Sequence, residues 1–581
     1  MTNASLSPPD KNSGSKAWLS ALEMTAAIGV QPERVYPRVI EELGEAFAGA
    51  PALLGTSENF SHADLAAQMR RYARWALTHG VRKGDVVALL MPNRPDYFAI
   101  WLGITRIGGV VALINTNLSG PALAHCIAVA APRHIIVAEA LAPILPDIGS
   151  AAPIWIYDTA FTQAVADFPG EPLAETEERN VTLNDPALLI YTSGTTGLPK
   201  AAHVSHHRVM MWTHWFAGMM QAQPTDRLYN CLPMYHSVGG VVASGAVLLK
   251  GGAVILREKF SASAFWCDVA ESGATIFQYI GELCRYLLKS GATPGAHKLR
   301  LACGNGLSGE IWERFQQRFA IPAILEFYAA TEGNFSLYNA DGKPGAIGRI
   351  PGFLRHRFGI ALVRRGEDGE PLRGENGFCQ KVTTGEPGEA IGRIADGASR
   401  FEGYSDEAAT AKKILRNVFE AGDAYVRTGD LMRQDAQGFF YFVDRLGDTF
   451  RWKGENVATT EVAAALAQYP GIIAANVYGV SVPGADGKAG MAALETGPDF
   501  QIDGLKAHLK ARLPGYACPL FLRLVESFAL TETFKPKKTN LAEEGYEPAD
   551  GSGSLYADLG DGYVPLDAAL YERIKSGLVR F

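Results

Sequence analysis

The chain has 581 residues, of which 47% are hydrophobic and 20% charged, and its formal net charge is −7. This length exceeds one compact core, so at least two domains are expected, and the negative charge provides no overall basic field for binding nucleic acid. The seven cysteines are scattered and lack Cys-x-x-Cys spacing. They argue against a disulfide framework and a structural zinc site, and they indicate a reducing, cytoplasmic compartment.

The N-terminal stretch 1–16 is rich in Ser, Pro, Asn and Asp and lacks the pattern of a signal peptide. We expect residues 1–30 to form a flexible segment. The most apolar stretch, 97–118, is interrupted by Arg106 and two asparagines, so no membrane span is predicted. Residues 18–30 have two interpretations, a helix packed on the domain or an amphipathic helix in peripheral contact with the inner face of a membrane.

Apolar runs and helical patterns alternate through most of the chain. Helices are predicted over 59–81, with Ser61 as its cap, and over 97–107. Buried strands are predicted at 85–91, 110–114, 134–137, 154–157, 187–191, 201–204, 227–231, 253–256, 274–279, 299–302 and 323–328. This alternation indicates an α/β fold with mostly parallel sheets.

The last third of the chain has a different character. Residues 353–400 combine many glycines and charges with short alternating segments, which predicts a small β-rich subdomain. A compact α+β tail follows, with strands at 472–480 and 521–525, helices at 461–468 and 567–574, and a linker at 549–554. We place the domain boundary at 446–448, which gives a large domain of residues 31–446 and a small domain of residues 447–581.

Residues 188–200 read Leu-Leu-Ile-Tyr-Thr-Ser-Gly-Thr-Thr-Gly-Leu-Pro-Lys, a strand followed by a loop with Gly194 and Gly197. Such a loop can direct backbone amides and hydroxyls at a phosphate, and Lys200 adds a positive charge. The glycine spacing differs from a Walker A loop. A second strand and a helix cap at Ser205 are predicted to follow. On this stretch alone, an ordinary surface turn is an equal alternative.

Four later stretches carry polar residues where a packed core would exclude them: 326–333, 427–430, 444–456 and 531–539. The first two follow strands, where side chains can serve a base, a phosphate, a ribose or a metal ion. Each has a structural alternative. Residues 326–333 could be a turn with a capping Thr, and 427–430 a common Thr-Gly-Asp turn. Residues 444–456 could be a solvated charged face or a hinge, and 531–539 a solubilising basic loop.

Taken together and in this order, the five stretches resemble the superfamily of adenylate-forming enzymes, which includes acyl-CoA synthetases, luciferases and peptide-synthetase adenylation domains. The resemblance runs from about residue 31 to residue 567. Residues 304–307, 326–334, 444–457 and 533–535 resemble the branch of fatty-acid transport proteins and very-long-chain acyl-CoA synthetases. The resemblance implies a large N-terminal domain of mostly parallel βα subdomains and a small mobile α+β C-terminal domain.

The resemblance also implies a nucleotide site. The residues that it assigns to the pyrophosphate end of ATP are Thr192, Ser193, Gly194, Thr195, Thr196, Gly197 and Lys200. Those that it assigns to the rest of the nucleotide are Gly304, Asn305 and Gly306 along the adenine, Phe327 and Tyr328 with Tyr328 stacked on the base, Thr331 at the α-phosphate, and Asp430 at the ribose with Arg445 beside it. Glu332 is implied as the ligand of Mg²⁺.

Lys535 aligns with the superfamily's catalytic lysine, which bridges the carboxylate and the α-phosphate. Phe534 stands where most of the superfamily has Gly, and Lys537 and Lys538 are close alternatives. Gly447 and Asp448 are implied as the hinge between the two domains.

His236 lies in Pro-Met-Tyr-His-Ser-Val-Gly-Gly, residues 233–240. In the family this place holds an aromatic residue or His that gates the acyl pocket and assists the thioester step. The alternative is a His whose hydrogen bonds are satisfied by local backbone.

Two further groups have ordinary explanations. His203, His206 and His207 resemble a metal cluster only superficially, and a helix start is the expected structure. The aromatic and Met stripe within 212–220 predicts core packing, with the wall of an acyl tunnel as the alternative.

The function implied is ligation of a long-chain or very-long-chain fatty acid to CoA through an acyl-adenylate, with ATP, Mg²⁺ and CoA as cofactors and cosubstrates. One alternative is an acyl-AMP ligase that passes the acyl group to a carrier protein. Another is a fatty-acid uptake component that acts by vectorial acylation. The sequence leaves the oligomeric state open, with a homodimer as one alternative.

Overall fold

A computed structural model describes residues 14–145, 150–192, 198–366, 369–395, 400–446, 448–452, 455–483, 487–528, 539–548, 554–579 and 581. The chain divides into two compact units. The first unit comprises Met1–Ile360, Ile391–Thr428 and Gly438–Phe440, and the second comprises Ala361–Ala390, Gly429–Gln437 and Tyr441–Phe581. The second unit therefore begins before residue 446, where the sequence-based boundary lies.

The helices and strands are numbered in chain order. The α-helices are α1 (Gly14–Ala26), α2 (Tyr36–Ala46), α3 (His62–Thr78), α4 (Pro95–Arg106), α5 (Gly120–Ala130), α6 (Thr159–Ala166), α7 (His206–Met219), α8 (Ala243–Leu248), α9 (Phe265–Ser272), α10 (Gly281–Lys289), α11 (Gly309–Phe319), α12 (Glu407–Lys413), α13 (Thr459–Ala467), α14 (Leu505–Lys510), α15 (Thr539–Glu544) and α16 (Ala568–Lys575). The strands are β1 (Pro51–Leu54), β2 (Asn59–Ser61), β3 (Val86–Leu90), β4 (Val110–Leu113), β5 (His134–Ala138), β6 (Ile154–Tyr157), β7 (Pro186–Thr192), β8 (Lys200–Ser205), β9 (Arg227–Asn230), β10 (Ala253–Leu256), β11 (Ile276–Ile280), β12 (Leu301–Asn305), β13 (Ile324–Ala329), β14 (Ser336–Asn339), β15 (Gly348–Arg349), β16 (Ile360–Val363), β17 (Gly388–Arg393), β18 (Ile414–Arg416), β19 (Ala424–Gln434), β20 (Phe439–Arg445), β21 (Phe450–Trp452), β22 (Glu455–Val457), β23 (Ile472–Ser481), β24 (Lys488–Thr496), β25 (Phe521–Val525), β26 (Ser554–Asp558) and β27 (Tyr563–Pro565).

Two large sheets organise the first unit. One has the strand order β14-β13-β12-β11-β9-β10-β1-β2, and the other has the order β6-β5-β3-β4-β7-β8. Their inner strands pair in parallel, whereas the outer pairs β13–β14, β1–β2 and β7–β8 are antiparallel. Short runs of Val, Ile, Leu and Ala form the inner strands because both faces of a parallel sheet are buried. The predicted α/β fold is confirmed.

The strands of the last third form smaller sheets. The order β15-β20-β19-β17-β16, with β18 paired to β19, contains the strand predicted at 360–363. In the second unit, β23-β24-β25-β26-β27 form a mainly antiparallel sheet. Its core includes Val477, Met491, Leu509 and Phe521. The strands and helices predicted in the tail are present with small shifts at their ends.

Helix α1 packs on helix α7, which differs from the flexible segment expected over residues 1–30. Trp18 is 1% exposed and lies edge-on to Trp215, with ring centroids 5.7 Å apart. A Cβ on Gly218 would lie 2.4 Å from the main chain of Ala21, so the two helices approach closely. This packing agrees with the interpretation of 18–30 as a helix on the domain. Among the helices of the described residues, none is long and apolar enough to cross a membrane.

Candidate active site

The strand–loop–strand at 186–205 positions the first polar residues of the site. Strands β7 and β8 are antiparallel, and their register places Thr192 opposite Lys200 at the open end of the pair. Tyr404 lies beside both: its phenol interacts with the Thr192 side chain, and Lys200 Nζ lies 5.8 Å from the ring centroid. The extended segment around Tyr404 is held on β8, where Ala202 pairs with it. Thr192 and Lys200, which flank the predicted phosphate loop, therefore both lie beside Tyr404.

The turn at 331–333 is clamped by a buried arginine of α7. Arg208 Nη1 donates to the Thr331 carbonyl at 2.8 Å, and its Nη2 donates to the Gly333 carbonyl at 2.6 Å. The two terminal nitrogens of one guanidinium fix both ends of the turn. A lysine, with a single ammonium group, does not offer two donors in this planar arrangement. The predicted cap at Ser205 is present, since its side chain accepts from the Arg208 amide. Helix α7 and the turn are thereby locked together.

The same turn contacts the segment that carries His236. The Thr331 and Ser237 hydroxyls lie 3.1 Å apart. The five residues Val238–Val242 form a turn of π-helix, a feature that often occurs at functional sites. Gly240 is required there, because a Cβ would lie 1.8 Å from the Met234 carbonyl oxygen. The structure thus brings together two stretches that are almost a hundred residues apart in the chain.

His236 is half-buried, and its ring lies 4.7 Å from that of Tyr235. Burial lowers the pKa of His236 to about 4. The imidazole is therefore neutral near pH 7, and a neutral imidazole can accept a proton.

Asn93 anchors the segment that carries His236. Its Oδ1 accepts from the Met234 amide at 2.9 Å, and its Nδ2 donates to the carbonyls of Leu232 at 2.8 Å and Arg257 at 3.0 Å. Two of these three bonds hold the main chain just before His236, and the third ties the same side chain to the end of β10. Asn93 is thus a positioning residue of the site.

Glu332 lies among polar partners from the segment 404–413. Its carboxylate interacts with the Tyr404 phenol, and its Oε1 lies 3.7 Å from Lys413 Nζ. Burial and this carboxylate raise the pKa of Tyr404, so the phenol stays protonated as a donor. Within the described ranges there is no group of three or more metal-ligating side chains. A single carboxylate nevertheless fits Mg²⁺, which proteins commonly hold by one or two carboxylates together with phosphate oxygens and water.

The residues predicted beside adenine end strand β12. Gly304 pairs with Tyr279 and Asn305 with Ile280, so the backbone is fixed against β11. Gly306 follows with a φ of +82°, a conformation that favours glycine. A Cβ on Gly304 would lie 2.1 Å from the Tyr279 carbonyl oxygen. The end of this strand therefore has room for main chain only, and its contact with adenine stays a prediction.

Successive aromatic residues of strand β13 point to opposite faces of the sheet. Tyr328 is half-buried, with its ring 5.9 Å from that of Phe335. The Phe327 ring is buried instead, 5.0 Å from Phe216 and 6.3 Å from Tyr338. The side chain of Phe327 therefore belongs to the core, and the nucleotide contact expected at this residue stays a prediction for its backbone.

The second unit contains the predicted ribose pair. Asp430 Oδ1 lies 3.5 Å from Arg445 Nε, and the Leu446 amide donates to the Gly429 carbonyl at 2.8 Å. The carboxylate is largely buried, whereas the guanidinium is half exposed. The amide of Asp448 donates to the Arg445 carbonyl at 3.0 Å, which closes a turn at the predicted hinge.

Several predicted residues lie outside the described residues. These are Ser193, Gly194, Thr195, Thr196, Gly197, Gly447, Lys535, Lys537 and Lys538. Their roles stay sequence-based predictions.

Of the three histidines expected at a helix start, His206 and His207 begin α7, whereas His203 lies in β8. His206 is buried as the first residue of α7, and burial lowers its pKa to about 4. In the aromatic and Met stripe, Trp215 and Phe216 pack against Tyr338. Core packing therefore accounts for this part of the stripe.

Arg208, Tyr404 and Lys413 were not identified from the sequence. Arg208 directly follows the three histidines, where only a helix start was expected. The signal for the other two was an aromatic residue and a basic pair within 404–413, a stretch that has the composition of an ordinary exposed helix. Their partners lie about 70 to 210 positions away along the chain, so no local spacing reveals them.

Comparisons with known proteins give the family. The model described as AMP-binding enzyme matches residues 40–377. The chain belongs to this family. The model described as AMP-binding enzyme C-terminal domain matches residues 461–535. The adenylate-forming superfamily predicted from the five stretches is thereby confirmed.

This AMP-binding enzyme is similar to named relatives over most of its length. It is 43% identical to long-chain fatty acid transport protein 1 of Mus musculus over 525 residues, which cover 86% of this chain and 80% of that protein. It is 40% identical to long-chain fatty acid transport protein 1 of Homo sapiens over 568 residues, which cover 94% and 87%. The predicted branch is therefore confirmed.

A solved structure shows the same fold. The crystal structure of ATP-bound MatB from Rhodopseudomonas palustris matches with a TM-score of 0.74 and 23% identity, covering 87% of this chain and 98% of that one. At this identity the likeness concerns the fold of the AMP-binding enzyme.

Proposed function

We propose that this AMP-binding enzyme ligates long-chain or very-long-chain fatty acids to CoA through an acyl-adenylate. The single observation that carries the proposal is one cluster of neighbouring polar side chains. It joins the end of the phosphate loop at Thr192, the turn Thr331–Glu332 and, through Ser237, the segment of His236. The relatives named long-chain fatty acid transport protein support the choice of acid.

The first half-reaction activates the acid. A carboxylate oxygen of the fatty acid attacks the α-phosphorus of ATP, the bond to the bridging oxygen breaks, and pyrophosphate leaves with the electron pair. Negative charge develops on the phosphate oxygens, so donors and cations held in place are the main requirement. The hydroxyls of Thr192 and Thr331 and the ammonium of Lys200 are assigned to these oxygens, together with residues 193–197. Lys535 is assigned to the pair of reacting groups.

The cation site is the carboxylate of Glu332. When bound, Mg²⁺ neutralises charge on the phosphate oxygens. The chain supplies the ligand, and the Tyr404 phenol, which interacts with this carboxylate, lies beside the end of the strand pair β7–β8. Arg208 keeps the neighbouring Thr331 fixed through the main chain.

The second half-reaction transfers the acyl group to sulfur. The CoA thiol loses its proton, its sulfur attacks the acyl carbonyl, and AMP leaves as the carbon–oxygen bond to the phosphate breaks. His236, neutral near pH 7, is the group assigned to the thiol proton. Rotation about Gly447 and Asp448, which carries Lys535 away after the first step, is part of the proposal.

The test separates the two half-reactions. Lys535→Ala should abolish the acid-dependent exchange of labelled pyrophosphate into ATP and retain thioester formation from supplied acyl-AMP. Lys537→Ala is the matched control and should keep both. Normal exchange in the Lys535 variant would move the catalytic role to Lys537 or Lys538. Absence of acid- and ATP-dependent acyl-CoA formation by the unsubstituted enzyme would overturn the proposed function itself.

A further inference from the structure

A carboxyl group that none of the assigned roles uses is buried behind the adenine-side strand ends. Glu326, on β13, is 1% exposed. Its Oε1 accepts from the Leu307 amide at 3.0 Å, and its Oε2 lies 2.5 Å from the Tyr279 hydroxyl. The amide of Gly306 is a further partner. Glu326 therefore connects three successive strand ends, β11, β12 and β13.

The backbone that Glu326 contacts is closely packed against its neighbours. A Cβ on Gly281 would lie 1.9 Å from the Gly306 carbonyl oxygen, so residues 304–306 rest directly on the end of β11. Gly306 has a φ of +82°, which turns the chain at this point. The carboxyl of Glu326 binds the two amides that follow the turn. The main chain beyond β12 is thus held by this side chain and by its close contact with Gly281.

We propose that Glu326 is a positioning residue that fixes the main chain of residues 304–307 as the surface that selects adenine over other bases. The inference rests on the proposed function, which assigns Gly304, Asn305 and Gly306 to the adenine. Selection of a base by backbone groups requires those groups to stay within a fraction of an ångström of their hydrogen-bonding positions. A shift of this surface would lower discrimination between bases more than it would alter binding of the acid.

The hydrogen bonds of Glu326 can be made by an uncharged side chain. Burial raises the pKa of Glu326 to about 8, so the protonated acid predominates near pH 7. A glutamine has the same shape, accepts the two amides through its carbonyl oxygen, and donates to the Tyr279 oxygen through its amide group. A leucine fills similar space and offers none of these bonds, which leaves two buried amides without their acceptor.

The experiment compares the rates of pyrophosphate release with ATP and with GTP, at saturating fatty acid, for the unsubstituted enzyme, Glu326→Gln and Glu326→Leu. The ratio of kcat/KM for ATP to that for GTP should stay within about twofold in the Gln variant and fall at least about tenfold in the Leu variant. The fall should come mainly from KM for ATP, with KM for the acid within about twofold.

The matched control is Asn339→Leu. Asn339 is buried on β14, directly opposite Glu326, and its amide donates to the carbonyls of Lys343 and Ala346. This variant should be less stable and should keep the ratio of ATP to GTP. An unchanged ratio in Glu326→Leu, or an equal fall in the control, would overturn the inference.

A second variant keeps the test decisive if the Leu variant does not fold. Tyr279→Phe removes one hydroxyl and leaves both amide bonds, so its ratio should fall about twofold to fivefold. An unchanged ratio there would contradict the inference. Since the unsubstituted enzyme must first show ATP-dependent acyl-CoA formation, failure of the proposed function is seen separately.

Discussion

Lys413 Nζ lies 3.7 Å from Glu332 Oε1 and also donates to the Thr428 carbonyl oxygen at 3.2 Å. The last residue of helix α12 therefore places a positive charge beside the carboxylate that we assign to Mg²⁺. A cation bound to Glu332 experiences repulsion from this ammonium, because both side chains are mostly shielded from solvent.

Replacing Lys413 by Met should strengthen Mg²⁺ binding. We expect the Mg²⁺ concentration that gives half-maximal pyrophosphate exchange to fall by about twofold to tenfold. The reason is that the substitution removes a positive charge less than 4 Å from the Glu332 carboxylate, which would repel the bound Mg²⁺. A magnesium titration at fixed ATP measures this. The control is Lys412→Met on the exposed side of the same helix, which should change nothing. Glu332→Gln should raise the required concentration, and an unchanged titration would refute the ligand role.

Arg208→Lys should impair the first half-reaction. One ammonium cannot reproduce two parallel donors to the carbonyls of Thr331 and Gly333, so the turn loses one of its fixed ends. We expect kcat/KM for ATP to fall at least about tenfold. Arg318→Lys is the control, since its guanidinium also donates to a carbonyl, that of Leu288, in another part of the fold. Equal losses in both variants would mean that Arg208 acts only on stability.

The pH dependence of stability should reveal the buried acid of β13. Glu326 has a pKa near 4.3 when unfolded and about 8 when folded. The folded state then binds more protons between these values, so the free energy of unfolding falls as pH rises through this window. The titratable groups that interact with it are Tyr279 on β11 and Cys284 on α10, and burial raises the pKa of each.

Glu326→Gln removes that titration. The unsubstituted protein should lose at least about 1 kcal/mol of unfolding free energy relative to the variant between pH 5 and pH 7.5. Urea denaturation of both proteins at each pH measures the difference. If the difference rises with pH, or does not change, Glu326 is ionised in the folded protein.

His236→Ala should slow thioester formation more than adenylation. Loss of a positioned proton acceptor is expected to lower the rate from supplied acyl-AMP by about a hundredfold, with pyrophosphate exchange within about threefold. Because the pKa of His236 is about 4, its function should persist as pH is lowered from 8 to about 5.5. His297→Ala is the control, since its ring forms a hydrogen bond with the Phe319 carbonyl and belongs to a different segment from His236. Equal slowing of both steps would contradict the assignment.

The sequence predicted the strands of the fold better than its helices. Runs such as Val86–Leu90 and Ala253–Leu256 are short, apolar and buried on both faces, which is a pattern that few other structures share. Helix α5, Gly120–Ala130, is apolar on nearly all sides and lacks the periodicity of an amphipathic helix. Its formation depends on packing against β3 and β8, which no local pattern encodes.

The candidate site was predictable where it follows a strand and not where it depends on distant partners. Thr331, Glu332 and the segment of His236 were found from stretches that place polar residues after apolar ones. Asn93 and Tyr404 were not, because their roles consist of contacts with main chain and side chains about 70 to 210 residues away. Glu326 was within a recognised stretch, yet only its burial distinguishes it from an exposed ligand.

The most direct test of acyl-adenylate chemistry follows one oxygen atom. The enzyme is incubated with CoA, ATP and a long-chain fatty acid whose carboxylate carries a heavy oxygen isotope, and the products are analysed by mass spectrometry. Attack of the carboxylate on the α-phosphorus leaves one labelled oxygen on phosphorus when the thioester forms. We predict that acyl-CoA is produced and that AMP carries one labelled oxygen. Label in inorganic phosphate with ADP as coproduct, or acyl-CoA formed with unlabelled AMP, would contradict the account.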